Sequence, residues 1–190
     1  ATMISSGFFK DSVDYMVNVQ FVLSQKEDMA VGFVEPTSYK ALYELKEMEG
    51  VNYAETFRTV PVKFKFGRSS YKTVINGIEP DSRLHPLLDT NLKPVALPQE
   101  GIILNDYLCK MLGVKAGDII TVEALEGSKA IRQVQVVALG KLYLGVMGYM
   151  DIKALNRLMK EGDAVSGVYI TADAQYQEKL YRSFVNMPRV

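Results

Sequence analysis

The sequence predicts an α+β fold, and three observations carry that prediction. Short stretches with period-two alternation stand between stretches whose apolar residues recur at three- and four-residue spacing. Gly, Pro and Asp punctuate most of the boundaries between them. An approximate internal repeat also relates two distant segments. Leu42 to Val51 reads LYELKEMEGV and Tyr181 to Val190 reads YRSFVNMPRV, which aligns Leu45 with Phe184, Met48 with Met187 and Val51 with Val190. Read physically, the repeat gives two strand–helix–strand halves of one α+β sandwich. The second half stops as its last strand begins, so the native chain is expected to continue past Val190. The material between the halves, about Glu79 to Gly162, is expected to be an inserted small β-rich subdomain with its own helices.

Each element has a local reason. Ile4 to Gln25 reads as a helix with Phe9, Val13, Met16, Val17 and Phe21 on one face. It either packs on the core or extends a membrane helix that precedes residue 1; in the second case Phe8 and Phe9 suit a headgroup region. Met29 to Val34 is a short strand closed by Glu35-Pro36. Thr37 is a candidate cap for a helix burying Ala41, Leu42, Leu45 and Met48, which Gly50 ends. Val60, Val62, Phe64 and Phe66 alternate with Pro61, Lys63 and Lys65, a half-buried strand. A turn at Gly67 to Ser70 returns the chain as Tyr71 to Ile78, the second arm of a hairpin. Pro80, Pro86, Pro94 and Pro98 then break the chain into short pieces, with Leu84, Leu87 and Leu88 tucked against the body.

From Gly101, the spacing of Leu104, Leu108, Met111 and Leu112 predicts a helix, and Gly113 ends it in a left-handed conformation. Ala116-Gly117-Asp118 reads as a turn, and Ile119, Ile120 and Val122 begin a strand that Ile131 to Leu139 follows. Lys141 to Tyr149 reads as a loop. Asp151 caps a third helix with Ile152, Leu155, Leu158 and Met159 on one face. Val165 to Thr171 is a strand, and Asp173 caps a final helix with Tyr176, Leu180 and Phe184 turned inward.

The totals exclude some functions. Twenty-two basic residues balance twenty-two acidic ones, and no Lys/Arg run is present, which argues against a nucleic-acid partner. A chain of 190 residues buries a sufficient core without disulfides or metals. The single Cys leaves the compartment open, since it forms no internal disulfide. No apolar run approaches the roughly 20 residues of a spanning helix. The chain starts at Ala1 with no Met before it, so it is expected to be part of something larger.

Little in the sequence looks like chemistry. His85 is the sole histidine, between Leu84 and Pro86; a catalytic role would need a nucleophile and an orienting acid beside it. Cys109 lies mid-helix beside the apolar face, where a free Cys behaves as a small hydrophobe. One His and one Cys leave only carboxylates to complete a metal site, and Gly140, Gly145 and Gly148 form no phosphate loop. Glu35, Glu44, Glu47, Glu49 and Glu55 read as a solvated face. No catalytic, cofactor-binding or metal-binding residue is assigned. An apolar, Gly-punctuated loop is costly to expose, so Tyr143, Leu144, Met147 and Tyr149 either pack over the core or form a partner surface.

Taken together, the ordered motifs resemble the extracytoplasmic domain of FtsX-like ABC transporter permeases, the family that includes the lipoprotein-releasing and MacB types. They are Phe21, Asp28-Met29-Ala30-Val31 and Glu35-Pro36; Leu45 to Val51 with Arg58; Val60-Pro61-Val62, Gly67 and Asn76-Gly77-Ile78; then Gly101-Ile102-Ile103-Leu104, Leu112-Gly113-Val114, Gly117-Asp118, Met150-Asp151 and Leu155-Asn156. The resemblance implies a porter-like α+β subdomain with an inserted β-rich one. The divisions are 1–28, continuing from a membrane helix; 29–78, a first porter-like half; 79–162, the insertion; and 163–190, a second half cut short. It further implies a position outside the cell inner membrane, on the periplasmic or extracellular side. The implied partners are a cytoplasmic ATPase subunit or domain, a second permease copy, and a lipoprotein, peptide or lipid substrate. No hook motif diagnostic of lipoprotein release is present.

The preferred reading is a non-catalytic domain that couples ATPase-driven motion to substrate or partner handling. It predicts both termini on one side of the fold. Two other classes stay open: a stand-alone extracellular binding module, and a small hydrolase using His85 or Cys109, which predicts a concave pocket holding one of them with perturbed acids.

Overall fold

A computed structural model describes residues 28–140 and 146–186. In chain order its elements are β1 (Met29–Ser38), α1 (Lys40–Lys46), β2 (Val51–Phe66), β3 (Ser69–Ile78), β4 (Ile102–Asn105), α2 (Asp106–Leu112), β5 (Ile119–Ala124), β6 (Ile131–Gly140), β7 (Gly148–Asp151), α3 (Ile152–Met159), β8 (Ala164–Ala172) and α4 (Ala174–Val185). The sequence predicts an α+β fold, and the chain does combine helices with a sheet.

Strand β2 organises the molecule, because its sixteen residues serve two territories. Residues 57–66 pair antiparallel with β3 across a tight turn at Gly67-Arg68. On the opposite side residues 51–57 pair with β8, and 62–65 pair with β5. The second pairing closes a ring in the order β2–β3–β7–β4–β6–β5 and back to β2. β3–β7 and β4–β6 are parallel; the other pairs are antiparallel. A six-stranded ring has no free edge and is narrow enough for side chains to fill.

The alternation along β2 dictates what fills it. Val60, Val62 and Phe64 point inward and are buried, joined by Ile75, Ile102, Leu104, Ile120, Val122, Val136 and Met150. Leu108, Cys109 and Leu112 of α2 and Ala154, Leu155 and Met159 of α3 complete this cluster. Gly77 lets α3 lie close against β3: a Cβ there would stand 2.8 Å from Leu155 Cδ2 and 3.2 Å from the Ile152 Cα.

At the other end of β2, β1 and β2 both pair antiparallel with β8, which lies between them. β1–α1–β2 is therefore a split strand–helix–strand unit. Helices α1 and α4 share a second apolar cluster, built from Leu42, Leu45, Leu180 and Phe184 over Val31, Ala54, Val168, Ile170 and Ala172. The repeat aligned Leu45 with Phe184, and these two belong to this one core. Met187 and Val190, the other aligned positions, lie outside the described residues, as do the predicted helix at 4–25 and the placement of the termini.

Several boundaries differ from the predicted ones. Thr37 lies within β1, and Tyr39 stands at the helix N-cap with no side-chain capping bond. The helix expected from Gly101 starts only at Asp106. Ile102–Asn105 is a strand whose four residues are all buried, so it shows no alternation, and Leu104 mimics a helical position by chance of spacing. Asn105 caps α2 by accepting from the Tyr107 N–H at 2.8 Å, and Met111 faces outward at 43% exposure. Gly113 does take the left-handed conformation at φ 75°, donating its N–H to the Cys109 carbonyl. The stretch expected as a loop up to Tyr149 ends in strand β7, again buried throughout. Two caps were read at the right residues. Asp151 accepts from Lys153 and Ala154, while Asp173 stands at its N-cap without a side-chain capping bond and accepts instead from Asn52. The ring pairs β2 and β3, from residues 51–78, with four strands from residues 102–151.

Candidate functional site

Between its two territories β2 must change partners, and the site is built at that change. β8 pairs as far as Phe57 and β5 begins at Val62, which leaves the backbone from 58 to 61 without a ladder on that side. Buried backbone polar groups need partners, and each is provided for. The Thr59 N–H donates to Ser166 Oγ at 2.9 Å, and the Thr59 carbonyl accepts from Arg58 Nη1 at 2.7 Å. Pro61 has no N–H to satisfy, and its carbonyl accepts from the Leu125 N–H at 2.9 Å.

Arg58 fills this gap. Its side chain is 2% exposed, donating through Nε and Nη2 to Glu161 Oε2 at 3.2 and 2.8 Å and through Nη1 to Ser166 Oγ at 3.0 Å. Glu126, in the β5–β6 turn, adds a carboxylate 3.7 Å from Nη1. The guanidinium thus reaches groups from both territories of β2. Glu55, expected among the solvated acids, is instead 1% exposed. It accepts from Tyr53 OH at 2.9 Å, Ser82 Oγ at 2.6 Å, and the N–H groups of Arg83 and Leu84 at 2.5 and 3.3 Å. These bonds fasten the Pro-rich segment after β3 onto the sheet, opposite the helices. Arg83 lies over the Tyr53 ring at 5.5 Å, and His85 stacks on Tyr169 at 4.8 Å.

Alternation puts Thr56 on the opposite face from Glu55. Its N–H and Oγ1 both donate to Glu79 Oε1, at 3.1 and 2.9 Å. Here α1 and α3 leave a cleft of about 410 Å³ lined by Tyr39, Tyr43, Glu79, Asp81, Asn156 and Asp163, with Pro80, Ile152 and Lys153. The Tyr39 N–H donates to the Asp163 carbonyl at 2.9 Å, which ties the start of α1 to the loop before β8. Burial, then Glu79, Tyr43 and Asp163, push the Tyr39 hydroxyl above its usual pKa. Asn156 sits inside α3 at 7% exposure; Nδ2 donates to the Ala164 carbonyl at 2.9 Å, while Oδ1 has no hydrogen-bond partner.

The residues singled out from the sequence fall elsewhere. Burial holds the His85 imidazole below its usual pKa, against the smaller opposing effects of its backbone hydrogen bond and Glu55. Its ring is stacked against Tyr169, and its backbone N–H donates to Ser82 Oγ at 2.9 Å. Cys109 is in the ring core, where burial and then Asp106 push its thiol up to about 11, far from a reactive thiolate. His85 and Cys109 do not line the cleft. Of the proposed partner surface, Tyr143 and Leu144 lie outside the described residues, as do Phe8 and Phe9. Met147 and Tyr149 pack with Ile78, Leu87 and Ile103; Tyr149 is 8% exposed, and burial pushes its hydroxyl up to about 12. That loop's end is therefore core rather than surface at Tyr149. The sequence reading missed the cleft, since its walls come from positions 39, 79, 156 and 163, and only the folded topology brings them together.

Among the described residues no three His, Cys, Asp or Glu side chains form a metal-holding group, and no helix is long and apolar enough to cross a membrane. No family model and no curated protein matches the chain by sequence. Solved structures do match it. The extracellular domain of the noncanonic ABC-type transporter YknZ from Gram-positive bacteria superposes with a TM-score of 0.56 at 12% identity, covering 80% of this chain and 87% of that one. The periplasmic region of MacB from Actinobacillus actinomycetemcomitans gives 0.55 at 9% identity, covering 86% and 83%. At these identities the likeness is one of fold.

Proposed function

We propose that this chain is the extracytoplasmic domain of an ABC transporter permease, a non-catalytic domain that couples ATPase-driven motion to a substrate or partner outside the membrane. The observation that carries this reading is the fold likeness to the YknZ and MacB domains, which extends over at least four-fifths of both chains in each pair. The ordered sequence motifs point the same way independently. The division into porter-like halves at 29–78 and 163–190 around an insertion at 79–162 belongs to this proposal. So do a cytoplasmic ATPase partner, a second permease copy, a lipoprotein, peptide or lipid substrate, and an inner-membrane location. Strand β2, continuous from the three-stranded sheet into the ring, suits a domain that relays movement.

The test is the whole gene and its product. Apolar segments of about 20 residues should flank the region on both sides. An ATPase with a phosphate-binding loop should be encoded alongside and co-purify with the full-length protein from membranes. A full-length product without membrane spans, found in the soluble fraction, overturns the reading in favour of a free-standing binding module.

A further inference from the structure

We propose that the outer face of the ring, over β3, β2 and β5, docks an extended acidic segment of a partner protein. Its carboxylates would sit on a lysine cluster and an aliphatic side chain on the apolar row beside it. The assignment rests on this face alone and does not depend on the transporter reading.

Register fixes which side chains share the face. Val62, Phe64 and Val122 point into the ring, so the residues between them point out. Lys63 stands directly opposite Lys72 on β3 and Glu123 on β5. Two residues further along β2, Lys65 stands between Ser70 and Thr121. The turn that follows adds Arg68, which is exposed. On these rows and the turn, four bases accompany one carboxylate, and Lys65 already engages it at 2.6 Å. No salt bridge among the described residues engages Lys63, Arg68 or Lys72.

Like charges directly opposite each other destabilise a sheet. The Lys63–Lys72 pair therefore works against the fold of the free chain, and an acidic partner offsets it. The chain as a whole balances 22 bases with 22 acids, so this face is a local excess that its own surface does not neutralise.

The neighbouring row is a second, independent observation. Pro61 stands opposite Val74 on β3, and its carbonyl accepts from the Leu125 N–H at the end of β5. Leu125 is 38% exposed; Ile131, opposite Glu123 on β6, is 63% exposed. Exposed apolar side chains continuous with a charged cluster mark an interaction surface. A wholly polar anion gains nothing from them, whereas an acidic peptide that also carries an aliphatic residue engages both rows.

Geometry selects the shape of the occupant. Outward positions 61, 63 and 65 repeat every ~6.7 Å, the repeat of alternate side chains in any extended chain. A segment running along β2 sets an aliphatic residue over Pro61 and carboxylates over Lys63 and Lys65 in turn. From residue 62 to 65 β2 pairs on both sides, so its N–H groups form no nest that would cradle a phosphate. The face also curves with the closed ring, so a flat lipid surface meets only part of it.

Amide chemical shifts of the 190-residue chain, titrated at low salt with the blocked heptapeptide acetyl-Leu-Ser-Glu-Ser-Glu-Ser-Glu-amide, test this. The controls are the same peptide with glutamine for each glutamate, sodium phosphate, and vesicles of phosphatidylglycerol. Saturable shifts confined to residues 61–74 and 121–131 are expected with the acidic peptide, and none with the glutamine one. Lys63→Gln with Lys72→Gln should weaken binding by about fivefold or more. Leu125→Ser should weaken it separately, through the apolar row. All three side chains point outward, and circular dichroism verifies that the variants fold. Absence of saturable binding, equal binding of the glutamine peptide, phosphate binding as tight, displacement of the peptide by the vesicles, or unchanged affinity in either variant overturns the proposal.

Discussion

Two stretches of β2, residues 60–64 and 55–58, are held by opposite chemistry. From Val60 to Phe64 every inward side chain is apolar and fully buried within a closed ring. From Glu55 to Arg58 the buried side chains include a carboxylate, a hydroxyl and a guanidinium, each with named partners. Hydrophobic burial is non-directional, so it holds the ring together without fixing what lies beyond it. Hydrogen bonds to charged groups are directional and costly to leave unmade. The polar stretch therefore sets how the Pro-rich segment, the α3–β8 turn and the β5–β6 turn sit on the sheet, while the apolar stretch supplies most of the stability.

That contrast can be broken at four places, in descending order of effect. Phe64→Ala opens a cavity in the ring and should cost about 3–5 kcal/mol, read from denaturant unfolding. A cost near zero would mean that the ring is not the main core. Arg58→Ala should cost about 2 kcal/mol, since Glu161 and Glu126 stay partly hydrated but the Thr59 carbonyl and Ser166 lose their donor. Arg58→Met should recover part of that loss by restoring packing; if it is as damaging as alanine, the polar contacts dominate. Glu55→Gln removes acceptor capacity and should cost about 1–2 kcal/mol. Its signature is local: faster amide hydrogen exchange at Arg83 and Leu84, with the ring amides unchanged. Exchange rising equally everywhere would show that the clasp is not a separate unit.

The smallest effect concerns pH. His85 titrates near 6.5 when unfolded and lower when folded, so the unfolded state binds more protons as pH falls below that value. Stability from this group is intact above about 6.5 and is lost progressively as pH drops toward the folded value. His85→Phe keeps the stack on Tyr169 and should flatten the decline in the unfolding midpoint between neutral and mildly acidic pH. An unchanged slope would assign the decline to carboxylates.

How much of this was legible in the sequence follows from the physics of each element. The β2–β3 hairpin was, because one solvated side at Lys63 and Lys65 leaves a period-two signature. Gly113 and Asp151 were, because a left-handed φ and an N-cap select residue types directly. β4 and β7 were not, because strands buried on both sides carry no alternation: Ile102-Ile103-Leu104 next to a helix read as more helix, and Gly148-Tyr149 read as the end of a loop. Glu55 looked like one surface acid among five; its burial depends on Ser82 and two backbone N–H groups that arrive from a segment without regular structure. The cleft needed the parallel β3–β7 pairing, which brings α3 beside the end of β3, before Asn156 and Glu79 could share a wall.

The sharing of β2 has a mechanical consequence. Sixteen extended residues make a strut about 50 Å long, and its ladders run to β8 at one end and to β3 and β5 at the other. A pull along this strut loads its hydrogen bonds side by side, in shear, so they must fail together and not one after another. The two territories are therefore joined by the β2 backbone itself, with the Arg58 hydrogen bonds and ion pairs alongside it.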